Sequence, residues 1–348
     1  MKLVGLRFNT FIILLTICYA SFADDWEYIP KGKTIAIGDI HADPRSFLDT
    51  LINMKILDSK GKFIGKDLDI VLLGDYAGKG TDTRGVWELI HYITTEAKNN
   101  NSRVHSIFGN HDTVILMEDF KRISKKDKKK FQKFDPDPKK GIVKALVSEP
   151  YRSMMQEWKA MVKIGDDIFV HGGIDEFIYE THPREINKVV SQFVIDQQNY
   201  LERTLKGENA IKPKVPKILT SWVFDSKSKL PDNPFWTRRL SKGKIPKKVY
   251  RRMLDYLDAK RLFVGHTGTK TKDIETKYNG KLVLADTNSS EGFKNTGELS
   301  AVEIDSQASG KIKMHNRLKR NKYHTAYRKL VPYGIESFNK CLRIFDIR

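Results

Sequence analysis

Short apolar runs recur along the chain, each about the length of one buried strand, and most end at a Gly, His or Asp. They are 34–37, 70–73, 104–108, 168–170, 262–264 and 281–284. Their β-branched and aromatic content predicts strands. Between the early runs the spacing becomes helical. Pro44 opens a segment carrying Phe47, Leu48, Leu51 and Ile52, and Thr83 precedes Val86, Leu89, Ile90 and Ile93 at i, i+3, i+4, i+7. Strand, helix, strand, helix, strand predicts an α/β fold with parallel strands covered by helices. In such sheets ligands collect beyond the carboxyl ends of the strands.

The longest apolar run departs from this rhythm. Residues 11–22 follow Lys2 and Arg7 and end near the small residues Ser21 and Ala23, the order of a secretory signal peptide spanning 1–23. The run is short for a bilayer span of about 20 residues, and an uncleaved anchor is the alternative. Cleavage leaves Asp24 as the first residue, places the protein in the secretory pathway or outside the cell, and leaves no transmembrane segment. Cys18 lies inside this segment and only Cys341 remains, so no intrachain disulfide is expected. The triplets starting at Asn100 and Asn288 are formal glycosylation sequons and add weak support.

A chain of 348 residues with 40% apolar composition buries its own core without disulfides. The formal net charge is +19, and +17 once Lys2 and Arg7 are removed. Such a surplus attracts anions in general. No basic patch interleaved with aromatics marks a nucleic-acid module, so nucleic acid is not an expected partner. Lysines concentrate in residues 118–141, which read as a solvated insertion rather than core, with a dock for an acidic partner as the alternative. The organisation expected is a catalytic domain over 24–310 and a basic C-terminal extension over 311–348, either packed on the domain or separate.

Chemistry clusters where the runs end. The clusters are Gly38-Asp39-Ile40-His41, Gly74-Asp75, Gly109-Asn110-His111-Asp112, His171-Gly172-Gly173 and Gly265-His266. Each is ordinary alone, since Gly-Asp after a strand is usually a turn. Together they supply oxygen and nitrogen donors suited to Mn, Fe or Zn. Asp39 and His41, two apart in an extended segment, would point to the same side and grip one ion.

These ordered motifs resemble those of the calcineurin-like metallophosphoesterases and, within them, the phosphoprotein phosphatase family, over roughly residues 33–290. The lysine-rich stretch, the run 162–174, Asn233-Pro-Phe-Trp-Thr-Arg238 and Asp286-Thr287 are most similar to the Shewanella-like protein phosphatases. The resemblance implies two mixed sheets in a four-layer sandwich flanked by helices, with the site at one edge. It implies two divalent ions (Mn, Fe or Zn), with Asp39 and His41 on the first, Asp75 bridging, and Asn110, His171 and His266 completing the second. A water shared by the ions would attack phosphorus in line, and His111 would protonate the leaving group with a pKa near the working range. Arg238 would bind phosphate, and Trp222 and Trp236 could wall the groove.

One departure stands out. Where the family has Asp-Arg, this chain has Gly78-Lys79. The first loss removes the carboxylate that orients the catalytic His, and the second replaces a bidentate guanidinium by a point charge. Asp82 or Asp112 could supply the carboxylate while Lys79, Arg84 and Arg238 share the phosphate. Otherwise the enzyme loses part of a general-acid contribution of about 10²–10⁴-fold, or the chain holds metals without turnover. With every metal ligand retained, the expectation is a working phosphatase acting on phosphoserine, phosphothreonine or phosphotyrosine in proteins. The alternatives are a hydrolase of diadenosine polyphosphates and a non-catalytic metal-binding scaffold.

Overall fold

Each expected strand forms, and its alternation decides which layer it touches. The computed structural model of the chain describes residues 26–220, 233–306 and 310–320. The expected signal peptide, Trp222 and the extension after 320 lie outside the described residues. First come β1 (Glu27–Tyr28), β2 (Lys33–Ile37), α1 (Pro44–Asn53), β3 (Leu68–Leu72), α2 (Thr83–Asn99) and β4 (Arg103–Ser106). The helices α3 (Asn110–Leu116), α4 (Lys125–Lys130), α5 (Pro138–Val147) and α6 (Tyr151–Gln156) lead to β5 (Met161–Ile164) and β6 (Asp167–Val170). Next are α7 (Phe177–Glu180), α8 (Pro183–Leu205), α9 (Lys217–Thr220) and α10 (Lys247–Tyr256). The strands β7 (Arg261–Val264), β8 (Glu275–Lys277), β9 (Leu282–Leu284), β10 (Leu299–Asp305) and β11 (Lys311–Leu318) complete the series.

The strands make two mixed sheets, in the orders β11-β10-β2-β3-β4 and β1-β5-β6-β7-β9-β8. Within the first, β2, β3 and β4 are parallel, and within the second, β6, β7 and β9 are parallel. Ala36 and Val71 from one sheet share a buried cluster with Phe169, Phe263 and Val283 from the other, so the two sheets face each other. Their chain neighbours Ile37, Leu72, Val170 and Leu284 belong instead to the larger cluster that holds the helix side chains. Period-two alternation thus sends successive residues to opposite faces. Helices α1 and α2 touch β10 and β4, while α8 touches β5. The result is the expected four-layer sandwich. Among the described residues no helix is long and apolar enough to cross a membrane.

Two expectations about basic segments are corrected. The boundary expected at residue 310 falls inside a hairpin, because β11 pairs antiparallel with β10 and places His315 opposite Ala301, so the extension starts out packed on the domain. Its Lys-Ile-Lys-Met start suits an edge strand, where Ile312 packs inward and charges face water. The lysine-rich stretch 118–141 is likewise organised. Ser124 caps α4, accepting from the Asp127 amide at 3.2 Å, and Asp137 caps α5, accepting from the Lys139 amide at 2.8 Å. Phe131 is fully buried and meets Trp87 edge-on, ring centroids 5.6 Å apart. Composition hid these few inward residues among many outward lysines.

Candidate metal centre

The parallel strands of both sheets end at the same edge, and their carboxyl ends carry the polar clusters. Beyond β2, β3 and β4 come Asp39 and His41, Asp75, and Asn110 with His111; beyond β6, β7 and β9 come His171, His266 and Asp286. Each is at most 5% exposed. Ligand atoms of His41, Asp75 and His111 all lie within 4.8 Å of one another, and so do those of Asp75, His171 and His266. Asp75 therefore belongs to both groups. Asn110 Oδ1 is 3.0 Å from His171 Nε2, and Asp39 Oδ2 is 3.6 Å from His41 Nε2. The structure brings together all six expected ligands, and His111 beside them.

Backbone carbonyls decide which ring nitrogen faces the centre. His41 Nδ1–H donates to Ala77 O at 3.4 Å, His171 Nδ1–H to Leu73 O at 2.7 Å, and His266 Nε2–H to Trp236 O at 3.1 Å. Each bond leaves the other nitrogen as a lone pair for an ion, the usual outer support of a metal-bound His. The expected reason for the Asp39–His41 convergence is corrected. His41 is not extended but left-handed, φ 49°, as are Asp75 at 51° and His266 at 62°. Non-glycine residues rarely adopt this conformation, and it concentrates at functional sites. Close approach also matters, since a Cβ on Gly265 would lie 2.2 Å from Asp39 Oδ1.

Charge makes this cluster costly without a cation. Burial, reinforced by Asp286 and Asp75, raises the Asp39 carboxyl well above its ordinary range. Burial and then Asp112 do the same to Asp75, and burial lifts Asp286 to about 6. Burial pushes His41 and His171 down to about 3 and His266 well below its usual value, so these imidazoles are neutral. Repelling carboxylates and neutral nitrogen lone pairs in one dry pocket fit divalent ions, which relieve the repulsion and accept the lone pairs. Asp286 is a member that sequence reading noted only as a mark of the branch. Its place after β9 follows the same strand-end rule as the others.

The acid–base and phosphate residues need correction. His111 Nδ1 is buried and has no hydrogen-bond partner among the described residues. It faces Gly78, where a Cβ would come within 2.2 Å of it and where φ is +79°, so glycine is required on both counts. Neither candidate carboxylate reaches it. Asp112 accepts instead from the amides of Tyr76, Ala77 and Gly109 at 3.0, 3.3 and 2.9 Å, bracing the Asp75 loop. Asp82 caps α2, accepting from the Gly85 amide at 2.9 Å, and lies 3.7 Å from Lys130 Nζ. The pKa of His111 also moves away from the working range expected for it. Burial, and then the neighbouring His41, Arg122 and Lys79, take His111 down to about 2.

Arg84 does not face the phosphate site. It pairs with buried Glu88, whose Oε1 also accepts from the Tyr151 hydroxyl at 3.2 Å. Arg238 does lie at the centre, donating to His266 O and, at 3.1 Å, to Thr267 Oγ1. Lys79 is exposed, 6.0 Å from the Phe293 ring, and that ring meets His41 edge-on with centroids 5.0 Å apart. Sequence reading missed Arg122. Its guanidinium sits 5.3 Å from the Trp236 ring centroid, and its charge acts on His111. No local pattern marked it, because it stands in the stretch read as solvated surface.

A family model for calcineurin-like phosphoesterases matches residues 32–269. Shewanella-like protein phosphatase 1 of Plasmodium berghei (strain Anka) is 28% identical over 276 residues, covering 77% of this chain and 70% of that protein. Shewanella-like protein phosphatase 2 of Arabidopsis thaliana is 24% identical over 100 residues, 29% of this chain and 26% of that protein. The solved cold-active protein-tyrosine phosphatase of a psychrophilic Shewanella species shares the fold, with TM-score 0.60 at 19% identity, covering 85% of this chain and 84% of that one.

Proposed function

We propose that this chain, which belongs to the calcineurin-like phosphoesterase family and is a metal-dependent phosphoric ester hydrolase, dephosphorylates proteins and prefers phosphotyrosine over phosphoserine and phosphothreonine. The observation that carries the preference is the unpartnered Nδ1 of His111 against Gly78. Similarity to Shewanella-like protein phosphatase 1 supports the protein substrate. Divalent ions held by Asp39, His41, Asp75, Asn110, His171 and His266 would supply Lewis acidity and a water acidic enough to attack phosphorus near neutral pH. Mn, Fe and Zn all suit this donor set.

The chain's own residues hold the phosphoryl group and its leaving oxygen. Arg238, fixed by His266 O and Thr267, and Arg122, laid over Trp236, offer guanidinium forks to the equatorial oxygens as negative charge builds there. Lys79 adds a point charge at the rim. His111 is the proton donor nearest the leaving group, but it has no carboxylate behind it and burial strips its affinity for a second proton. A phenoxide, whose conjugate acid has a pKa of about 10, departs with little help. An alkoxide is far more basic and depends on full protonation. Phe293, partly exposed beside His41, offers a flat face for a tyrosyl ring, whereas Trp236 is buried beneath Arg122.

Mn²⁺-loaded protein tested on matched phosphotyrosine, phosphoserine and phosphothreonine peptides should show at least about 10-fold higher kcat/KM for phosphotyrosine. Rates across substituted aryl phosphates should fall steeply as the leaving-group pKa rises. Equal rates on all three peptides would refute the preference, and cleavage of diadenosine tetraphosphate in place of any peptide would refute the protein substrate. Arg84, tied to Glu88, no longer supports that second activity. The apolar run at 11–22 supports action in the lumen of the secretory pathway, which protease protection in isolated vesicles checks.

A further inference from the structure

The lysine-rich arm encloses a cleft that phosphate chemistry leaves unused. Between residues 118–144 and the end of α8 lies a cavity of about 740 Å³. Its apolar lining comes from Phe120, Val143, Leu201 and Leu205, and lysines 121, 128, 139, 140 and 144 stand around it. The acidic lining residues are already engaged: Asp135 pairs with Lys144 at 2.7 Å, Glu118 with Lys212 at 2.7 Å, and Asp119 accepts from the Lys121 amide at 3.1 Å. Lys121, Lys128, Lys139 and Lys140 form no ion pair among the described residues. One lining residue is next in the chain to a residue that acts on the metal centre. Lys121 adjoins Arg122, whose guanidinium covers Trp236 and whose charge reaches His111.

We propose that this cleft docks the acidic, apolar-bearing flank of the phosphorylated protein substrate while its phosphorylated residue occupies the metal centre. This rests on the protein-phosphatase reading given above. The surplus of ammonium groups selects Asp and Glu, and the apolar lining selects a Leu or Phe among them. A purely ionic polymer such as polyphosphate would leave that apolar surface in water. A free phosphomonoester would need the metal centre alone.

The full chain is compared with Lys128→Glu/Lys140→Glu, in which both changes lie on the surface arm and outside the catalytic machinery. KM is measured for two phosphopeptides, one with an Asp/Glu/Leu flank and one with a Ser/Gly flank, and for p-nitrophenyl phosphate. A fluorescent, unphosphorylated Asp/Glu/Leu peptide gives a Kd independent of turnover. Wild type should favour the acidic flank by about 10-fold in KM, and the double variant should lose that preference and bind the fluorescent peptide about 10-fold more weakly. Its kcat and KM for p-nitrophenyl phosphate should not change. Equal KM values in wild type, or a preference kept by the variant, would overturn the proposal. So would lysine-dependent binding of linear polyphosphate without binding of the peptide. Absence of p-nitrophenyl phosphate turnover in wild type would instead overturn the phosphatase reading, with the peptide Kd still deciding the cleft.

Discussion

The metal centre and the lysine arm are both dense in charged residues, yet the fold treats them in opposite ways. At the centre Asp39, Asp75 and Asp286 are almost wholly buried among neutral imidazoles, and their carboxyl pKa values rise because water is excluded. In the arm the lysines stay at the surface, and the side chains that turn fully inward are few. Asp127 accepts from Thr83 N at 2.7 Å and Thr83 Oγ1 at 2.6 Å, and Ser124 Oγ donates to Gly80 O at 2.9 Å. These bonds hold the loop between Lys79 and α2, which follows the Asp75 turn. The arm is therefore a brace for the centre and a source of Arg122. The difference teaches that charge density alone does not tell where polar groups go. Six strand ends converging on one edge bury them, whereas a capped helical arm leaves them in solvent.

Substitutions at Asp75, Arg122 and Asp127, with Lys125 as a control, test that contrast, beginning with the strongest. Asp75→Asn removes the carboxylate common to both ligand groups, so Mn²⁺-dependent turnover should fall by about 10³-fold or more while far-UV circular dichroism stays unchanged. Activity kept within about tenfold would mean that the centre is not the reactive site. Next, Arg122→Ala should lower kcat/KM by about 10–100-fold, the worth of a charged hydrogen-bond pair, with Arg122→Lys intermediate. The exposed Lys125→Ala should change nothing. Equal kinetics for Arg122→Ala and Lys125→Ala would place Arg122 with the solvated lysines. The smallest effect should come from Asp127→Ala, a loss of about 1–2 kcal/mol in urea denaturation with turnover largely kept.

Asp127 also gives a pH test. Burial raises its carboxyl from 3.8 to about 6, so between those values the folded chain holds a proton that the unfolded chain has released. Its contribution to stability is greatest below pH 4 and declines as pH rises through 6. Asp127→Asn should flatten that part of the profile, which urea midpoints at pH 4.5 and 7 would show. A parallel shift at both pH values would assign Asp127 a hydrogen-bonding role without titration.

Local physics made much of this protein legible. Alternating apolar residues sort to two faces wherever a strand forms, so β2, β3, β6, β7 and β9 could be read in advance, as could helices with a Pro or a polar cap at the start. Donor types at strand ends marked the clusters around Asp39, Asp75, Asn110, His171 and His266, and the family resemblance picked Asp39, His41, Asp75, Asn110, His171 and His266 out of them as expected ligands. Only the tertiary structure decided the rest. It set which nitrogen of each imidazole faces inward, put His111 Nδ1 against Gly78, tied Arg84 to Glu88, and brought Arg122 and Asp286 to the centre. Each of those outcomes depends on groups far apart in the chain meeting where water is excluded. Burial and neighbouring charge there outweigh any preference a residue carries on its own.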